Sequence, residues 1–138
     1  VLSDLSGLPL RQDLAITGSI NQRGDAQAIG GAHHKIEGFF RTCQENGALT
    51  GNQGVVVPVS NEKNLVLRDD VAQAVAAGTF HIWSVATIDE AAELFMDMPA
   101  GVADADGGFP VDTIYGRVMA QLEAFDRALY EREQLARK

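Results

Sequence analysis

The sequence predicts an α+β fold: a small mixed sheet with a leading hairpin, flanking helices and a C-terminal helix. Three observations carry this. Strand-like apolar runs alternate with capped, amphipathic segments through the middle of the chain. The turn signal "NQRGD" (21–25) joins the first two strand-like runs, so a hairpin leads. No dinucleotide-binding glycine fingerprint follows any strand, so a doubly wound nucleotide fold is not expected. The 138 residues, 46% of them hydrophobic, are enough for one globular domain with its own core.

The elements follow in order. Val1, Leu2 and Leu5 read as the last turns of a helix, stopped by Gly7 and Pro9. The chain opens on Val1 without an initiator methionine, and a domain rarely starts at a helix end, so a fragment that has lost its upstream part is expected. "LAITGSI" (14–20) reads as a strand and "DAQAIGG" (25–31) as its hairpin partner. In the stretch that follows, Ile36, Phe39, Phe40 and Cys43 recur at helical spacing, predicting a helix over 31–46 with Gly47 as its C-terminal cap. "GVVVPVS" (54–60) is a β-branched apolar run, expected as a buried strand in which Pro58 marks an edge or an end.

Residues 68–78 read as a helix with Asp69 and Asp70 in its first turn, where acidic groups suit the dipole, and with Gly78 closing it. "TFHIWSV" (79–85) is the next strand. Thr87 and Glu90 form a capping-box pair that opens a helix running to about Met98, where Pro99 ends it. The Gly-rich acidic stretch 100–110 reads as an exposed loop. Beyond it Ile114, Val118, Leu122, Phe125 and Leu129 form one apolar stripe on a C-terminal helix, which packs back on the domain or meets a neighbouring chain. The charged tail 131–138 is expected to fray, and no internal repeat is present.

Composition narrows the function. A formal charge of −8 argues against a nucleic-acid surface, which needs clustered Lys and Arg. One cysteine, Cys43, excludes an internal disulfide and fits a reducing compartment. No apolar run approaches the ~20 residues of a membrane span, and no signal peptide is visible, so a cytoplasmic protein is the expectation.

The short motifs are mostly structural. No Gly-x-x-x-x-Gly-Lys-Ser/Thr loop is present, and "GNQG" (51–54) reads as a plain turn. "RGD" (23–25) matches an adhesion tripeptide but reads as the hairpin turn. "SNEK" (60–63) fits a Ser-x-x-Lys nucleophile motif without its companion elements, so Ser60 or Asn61 is expected to cap a turn after the buried strand. His33, His34 and Glu37 offer ligand spacing, but no third ligand is suggested where catalytic zinc wants three, so no metal is expected.

Lys35 stands apart. It lies in the first turn of its helix, where the dipole disfavours a cation, and beside Ile36 and Phe39 on the edge of the apolar face. Gly30 and Gly31 remove side-chain bulk before it and permit close approach of another backbone or a substrate. Partial burial and the helix end both disfavour the ammonium, which makes Lys35 a candidate general base in need of a nucleophile.

With these residues assembled, "AITGSINQRGDAQAIGGAHHKIEGFF" followed by "GNQGVVVPVSNEKNLVLRDDVAQAVAAGTFHIWSVATIDEAAEL" resembles the proteolytic domain of the Lon family of ATP-dependent serine proteases. The resemblance covers roughly residues 5–101 and is nearest to the Lon-related branch in which "TGSxNQ" and "GGxxxKIEGFF" are typical. The tail, 102–138, resembles that branch less distinctively, so 1–101 is expected as a partial proteolytic domain and 102–138 as loop and helix. The resemblance implies a Ser–Lys dyad with Lys35 as base, Thr17 beside it, and Gly30 and Gly31 leading into the lysine helix. It also implies that the nucleophilic serine lies in a Gly-Asp-Ser-Ala type stretch before Val1. Family members often carry another polar pair where His33 and His34 stand. The implied partners are unfolded protein substrates, an upstream AAA+ module of the same protein that binds ATP and Mg, and other copies in a ring. On that reading these residues alone are inactive; a non-catalytic assembly core is the alternative.

Overall fold

In the computed structural model, which describes residues 1–136, the chain divides into two compact units. One is Arg11–Ala91; the other joins Val1–Leu10 to the described residues from Ala92 onward. The elements run in the order α1 (Leu2–Ser6), β1 (Leu14–Ile16), β2 (Ser19–Ile20), β3 (Ala26–Gln27), α2 (Ala32–Glu45), β4 (Gly54–Pro58), α3 (Asp69–Ala76), β5 (His81–Val85), α4 (Ile88–Met96) and α5 (Ile114–Ala136). A 3₁₀ turn, Val59–Asn64, continues directly from β4.

In the larger unit β4 is the centre of a three-stranded parallel sheet ordered β1-β4-β5. Leu14 lies opposite Gly54 and Ile16 opposite Val56, while Gly54 pairs with His81 and Pro58 with Val85. All five residues of β4 are buried, which is why its sequence is apolar without alternation. Pro58 is the last residue of this central strand, so it marks a strand end, and its missing N–H costs the ladder nothing beyond that point. The expected sheet, leading hairpin and flanking helices are all present. The parallel and antiparallel pairings fall into separate sheets, β2 pairing with β3 alone.

Helix α2 lies on one face of β4. Ile36, Phe40, Val55, Val57, Val71 and Phe80 form the core there, with Phe40 edge-on to Phe80 at 5.1 Å between ring centroids. Phe80 is fully buried, a burial that contributes about 2–3 kcal/mol. The capping pair at the start of α4 forms: the Glu90 N–H donates to Thr87 Oγ1 (3.3 Å), and Glu90 Oε2 accepts from the Ala86 N–H (2.7 Å).

Four boundaries differ from expectation. "LAITGSI" is not one strand: it breaks at Thr17–Gly18, so β1 joins the parallel sheet and β2 the hairpin. Its partner shortens to Ala26–Gln27 because 28–31 lead into the α2 turn. The 54–60 run stops as a strand at Pro58 and becomes the 3₁₀ turn. Helix α4 ends at Met96, two residues early, where Asp97 takes a positive φ of 50°.

In the smaller unit Ala92, Met96 and Ile114 are buried together, with Leu2, Leu8 and Met98 against them. Helix α1 ends at Gly7, as expected. The loop over 100–110 is organised by Asp104, whose Oδ1 accepts from the Asp106 and Gly108 N–H groups. Along α5 the stripe is only half used. Ile114 and Val118 are buried, whereas Leu122, Phe125 and Leu129 are 43%, 50% and 61% exposed. The helix continues through Ala136 where fraying is expected; Arg137 and Lys138 lie outside the described residues. Among the described residues no helix is long and apolar enough to cross a membrane.

Candidate functional site

The site assembles where β1 ends. The Thr17 N–H donates to the Val56 carbonyl (3.0 Å), which extends the parallel ladder one residue beyond β1 and fixes the Thr17 backbone. The chain then passes Pro58 so closely that a Cβ at Gly18 would sit 2.8 Å from Pro58 Cγ; with φ at +155°, the position takes only glycine without strain. The hairpin after it turns on Asn21, whose Oδ1 accepts from the Arg23 and Asp25 N–H groups. "RGD" is therefore a turn, as expected. The hairpin is tied to the start of α4 by the Ala26 N–H on the Ala86 carbonyl (2.7 Å) and the Ile88 N–H on the Gly24 carbonyl (2.8 Å).

Helix α2 begins at Gly31, which adopts the left-handed conformation (φ 68°) and carries no capping side chain. What holds the entry to the helix is Asn61. Its Oδ1 accepts from the Ile29 N–H (3.1 Å) and its Nδ2 donates to the Ile29 carbonyl (2.8 Å), so both backbone groups of Ile29 are satisfied by one side chain. Asn61 is only 7% exposed. Sequence reasoning makes it a local turn cap. Nothing within its neighbourhood signals a partner 32 residues away; only an asparagine placed between a buried strand and a polar turn hints at a buried polar role.

Lys35 and Thr17 lie side by side. The Lys35 ammonium donates to Thr17 Oγ1 at 3.1 Å, linking the first turn of α2 to the end of β1. Lys35 is exposed rather than partly buried: its neighbour Ile36 takes the inward position on the helix and Lys35 turns outward. Gly30 has open space where a Cβ would be, and at Gly31 a Cβ would only touch His34 Cδ2 at 3.9 Å, so neither is needed for packing; Gly31 is needed for its backbone conformation. The rings of His33 and His34 are tilted at 45° to each other with centroids 4.0 Å apart. Among the described residues no group of three or more His, Cys, Asp or Glu is placed to hold a metal.

Thr17 is also a lining residue of a cavity of about 340 Å³, walled by Ile16, Ile20, Pro58, Val85, Ile88 and Ala91. No charged side chain lines it. Ile16 and Ile20 are each 52% exposed, so the wall opens to solvent. The Arg11 guanidinium, hydrogen-bonded to both carboxylate oxygens of Asp13 (3.0 and 2.7 Å), holds that carboxyl below its usual range. Burial pushes the Cys43 thiol up.

A lysine amine bound to a threonine hydroxyl beside an open apolar cavity has the chemistry to accept a proton, and comparison with known proteins says to which family the chain belongs. Residues 1–98 match the family model described as Lon protease (S16) C-terminal proteolytic domain. The chain is 42% identical over 107 residues to a putative Lon protease homolog of Escherichia coli, an alignment covering 78% of this chain and 18% of that protein. It is 50% identical over 94 residues to a putative Lon protease homolog of Haemophilus influenzae (68% and 16%). It is 37% identical over 94 residues to an archaeal Lon protease of Thermococcus kodakarensis (68% and 13%). The chain thus spans less than a fifth of the length of these relatives. With the family model covering most of its length, the chain belongs to the Lon protease (S16) C-terminal proteolytic domain family.

Proposed function

We propose that this chain is part of an ATP-dependent serine endopeptidase in which Lys35 is the general base of a Ser–Lys dyad. The observation that carries the reading is the 3.1 Å contact between Lys35 Nζ and Thr17 Oγ1, because it joins the "TGS" and "GGxxxK" elements at one point. The nucleophilic serine belongs to a segment before Val1. As its Oγ attacks the peptide carbonyl, Lys35 Nζ takes its proton, passes it to the leaving amine, and then draws a proton from the water that hydrolyses the acyl-enzyme. Thr17 Oγ1 accepts from Nζ throughout and holds it in place. Unfolded or damaged proteins are the substrates, and the uncharged cavity beside Thr17 takes an apolar side chain of an extended chain.

No nucleotide-binding loop matches within residues 1–138, so ATP and Mg are assigned to an AAA+ module elsewhere in the protein, and no step here passes through them. The working protein is a cytoplasmic ring of copies. The test is hydrolysis of a fluorogenic peptide by the complete polypeptide: Lys35→Met should lose at least 10³-fold in kcat, in the range of a lost general base. The 138-residue chain should not turn over. Steady hydrolysis by that chain, abolished by Lys35→Ala, refutes the assignment of the serine upstream.

A second reading, a non-catalytic assembly core, is favoured by the exposed Leu122, Phe125 and Leu129 of α5. Sedimentation of the 138-residue chain as a discrete oligomer that Phe125→Asp dissociates supports it, and a monomer removes it.

A further inference from the structure

Both halves of the Lys35–Thr17 pair are held by one continuous stretch of chain. Val56, inside β4, accepts from the Thr17 N–H. Five residues on, Asn61 in the 3₁₀ turn that extends β4 grips both backbone groups of Ile29. Residues 54–58 are buried throughout, paired with β5 along their length and with β1 over 54–56, so this stretch is a well-constrained reference.

The entry to α2 is otherwise weakly specified. No side chain caps the helix, and Gly30 has open space and no packing partner within 4 Å. Gly31 gives the chain its turn but no contact that fixes direction. Two consecutive glycines before an uncapped helix form a joint. Below the joint, α2 is anchored on its buried face by Ala32, Ile36 and Phe40, which leaves the outward side of its first turn, with Lys35 on it, to be set by where Ile29 is held.

We propose that Asn61 is a positioning residue for Lys35. The Asn61 amide, acting on Ile29 like a strand partner, sets the first turn of α2 against the end of β1, so that Nζ arrives at Thr17 Oγ1 within hydrogen-bond reach. Asn61 touches neither Lys35 nor substrate; it acts through Ile29 and the glycine pair. This rests on the dyad reading for its catalytic consequence and on the two amide contacts for its geometry.

The two parts are tested separately. In the 138-residue chain, Asn61→Ala should speed amide hydrogen exchange at Ile29 at least tenfold beyond the change at Phe40 and Val56, which report global stability. Asn61→Asp keeps the acceptor for the Ile29 N–H and loses the donor, so it should fall between. Equal changes at all three amides, or none at Ile29, overturn the clamp. In the complete polypeptide, Asn61→Ala should lower kcat for a peptide about 10²-fold, the cost of a displacement of roughly 1 Å, with KM within about twofold. Asn61→Asp should recover part of kcat. A loosened Ile29 with unchanged kcat overturns the positioning role while leaving the protease reading intact. A wild type without peptidase activity, with Ile29 still clamped, overturns the protease reading and the catalytic consequence drawn from it. Should Asn61→Ala fail to fold, Asn61→Asp carries both measurements.

Discussion

Gly18 and Gly30 stand on either side of the hairpin, and alanine should affect them in opposite directions. At Gly18 the new Cβ meets Pro58 Cγ at 2.8 Å and Cδ at 3.2 Å, and φ is +155°. Ordinary carbon contacts lie at about 3.5–4.0 Å, so roughly 0.7 Å must be found. Pro58 cannot supply it, being fully buried at the end of the central strand. The displacement therefore falls on the Thr17–Gly18 peptide. An unfavourable backbone region costs about 1–3 kcal/mol and overpacking a similar amount, giving about 2–6 kcal/mol together. At about 3–4 °C per kcal/mol for a chain of this size, Tm should fall by about 6–24 °C. The same shift would carry Thr17 Oγ1 from 3.1 Å to beyond hydrogen-bond reach of Lys35 Nζ, so peptide hydrolysis by the complete polypeptide should fall as well. Gly30 has open space and no positive φ, so Gly30→Ala should be neutral or raise stability by about 0.4–1 kcal/mol through the unfolded chain. Thermal denaturation of the two variants side by side is the assay. A Gly18→Ala variant within about 1 °C of wild type, or a Gly30→Ala variant as damaged as Gly18→Ala, would refute the reasoning. Loss of hydrolysis in Gly30→Ala without loss of Tm would support a substrate passing close to that backbone.

Three further outcomes are expected. The depressed Asp13 carboxyl stabilises the fold above its unfolded pKa of about 3.9 and stops doing so as pH falls through its lower folded value. Asp13→Asn should therefore cost about 0.5 kcal/mol at pH 7, and the gap should close as pH falls below the folded value, as urea titrations at several pH values would show. Cys43, raised by burial, should react with a disulfide reagent at pH 8 several-fold more slowly than in urea; equal rates would place the thiol in solvent. Along α5, Ile114→Ala should cost about 3 kcal/mol and Phe125→Ala under about 1 kcal/mol, because the first side chain is fully buried and the second half exposed. Comparable losses in urea unfolding would mean that Phe125 is covered in solution.

What the sequence made legible was what local chemistry decides. The β4 run was readable because a strand buried on both faces has no polar positions, and α4 because Thr87 and Glu90 cap it within one turn. Lys35 and Thr17 were legible as a pair only through the family motifs, since eighteen residues separate them and nothing in either segment points to the other. Two features were not legible because they depend on distant partners. The break in "LAITGSI" comes from Pro58, forty residues on, which admits only a glycine beside it. The role of Asn61 comes from Ile29, and the outward turn of Lys35 from Ile36 taking the core position. The α5 stripe shows the reverse limit: its periodicity is sound, yet only Ile114 and Val118 among its residues find a buried environment.

The break at Thr17–Gly18 has a consequence for what variation the segment tolerates. Residues 14–20 serve two ladders in succession: β1 is registered against β4, and β2 against β3, which is itself tied to Ala86. Each ladder pins one end of the segment, and only Thr17 and Gly18 lie between. A single-residue insertion or deletion there cannot be absorbed by a loop. It must slip one ladder by about 3.3 Å and turn every later side chain to the opposite face. The spacing from Leu14 to Ile20 is therefore a fixed length, less forgiving than most of the side chains along it. Relatives that keep a threonine at the end of β1 should keep that count even where the residues around it drift.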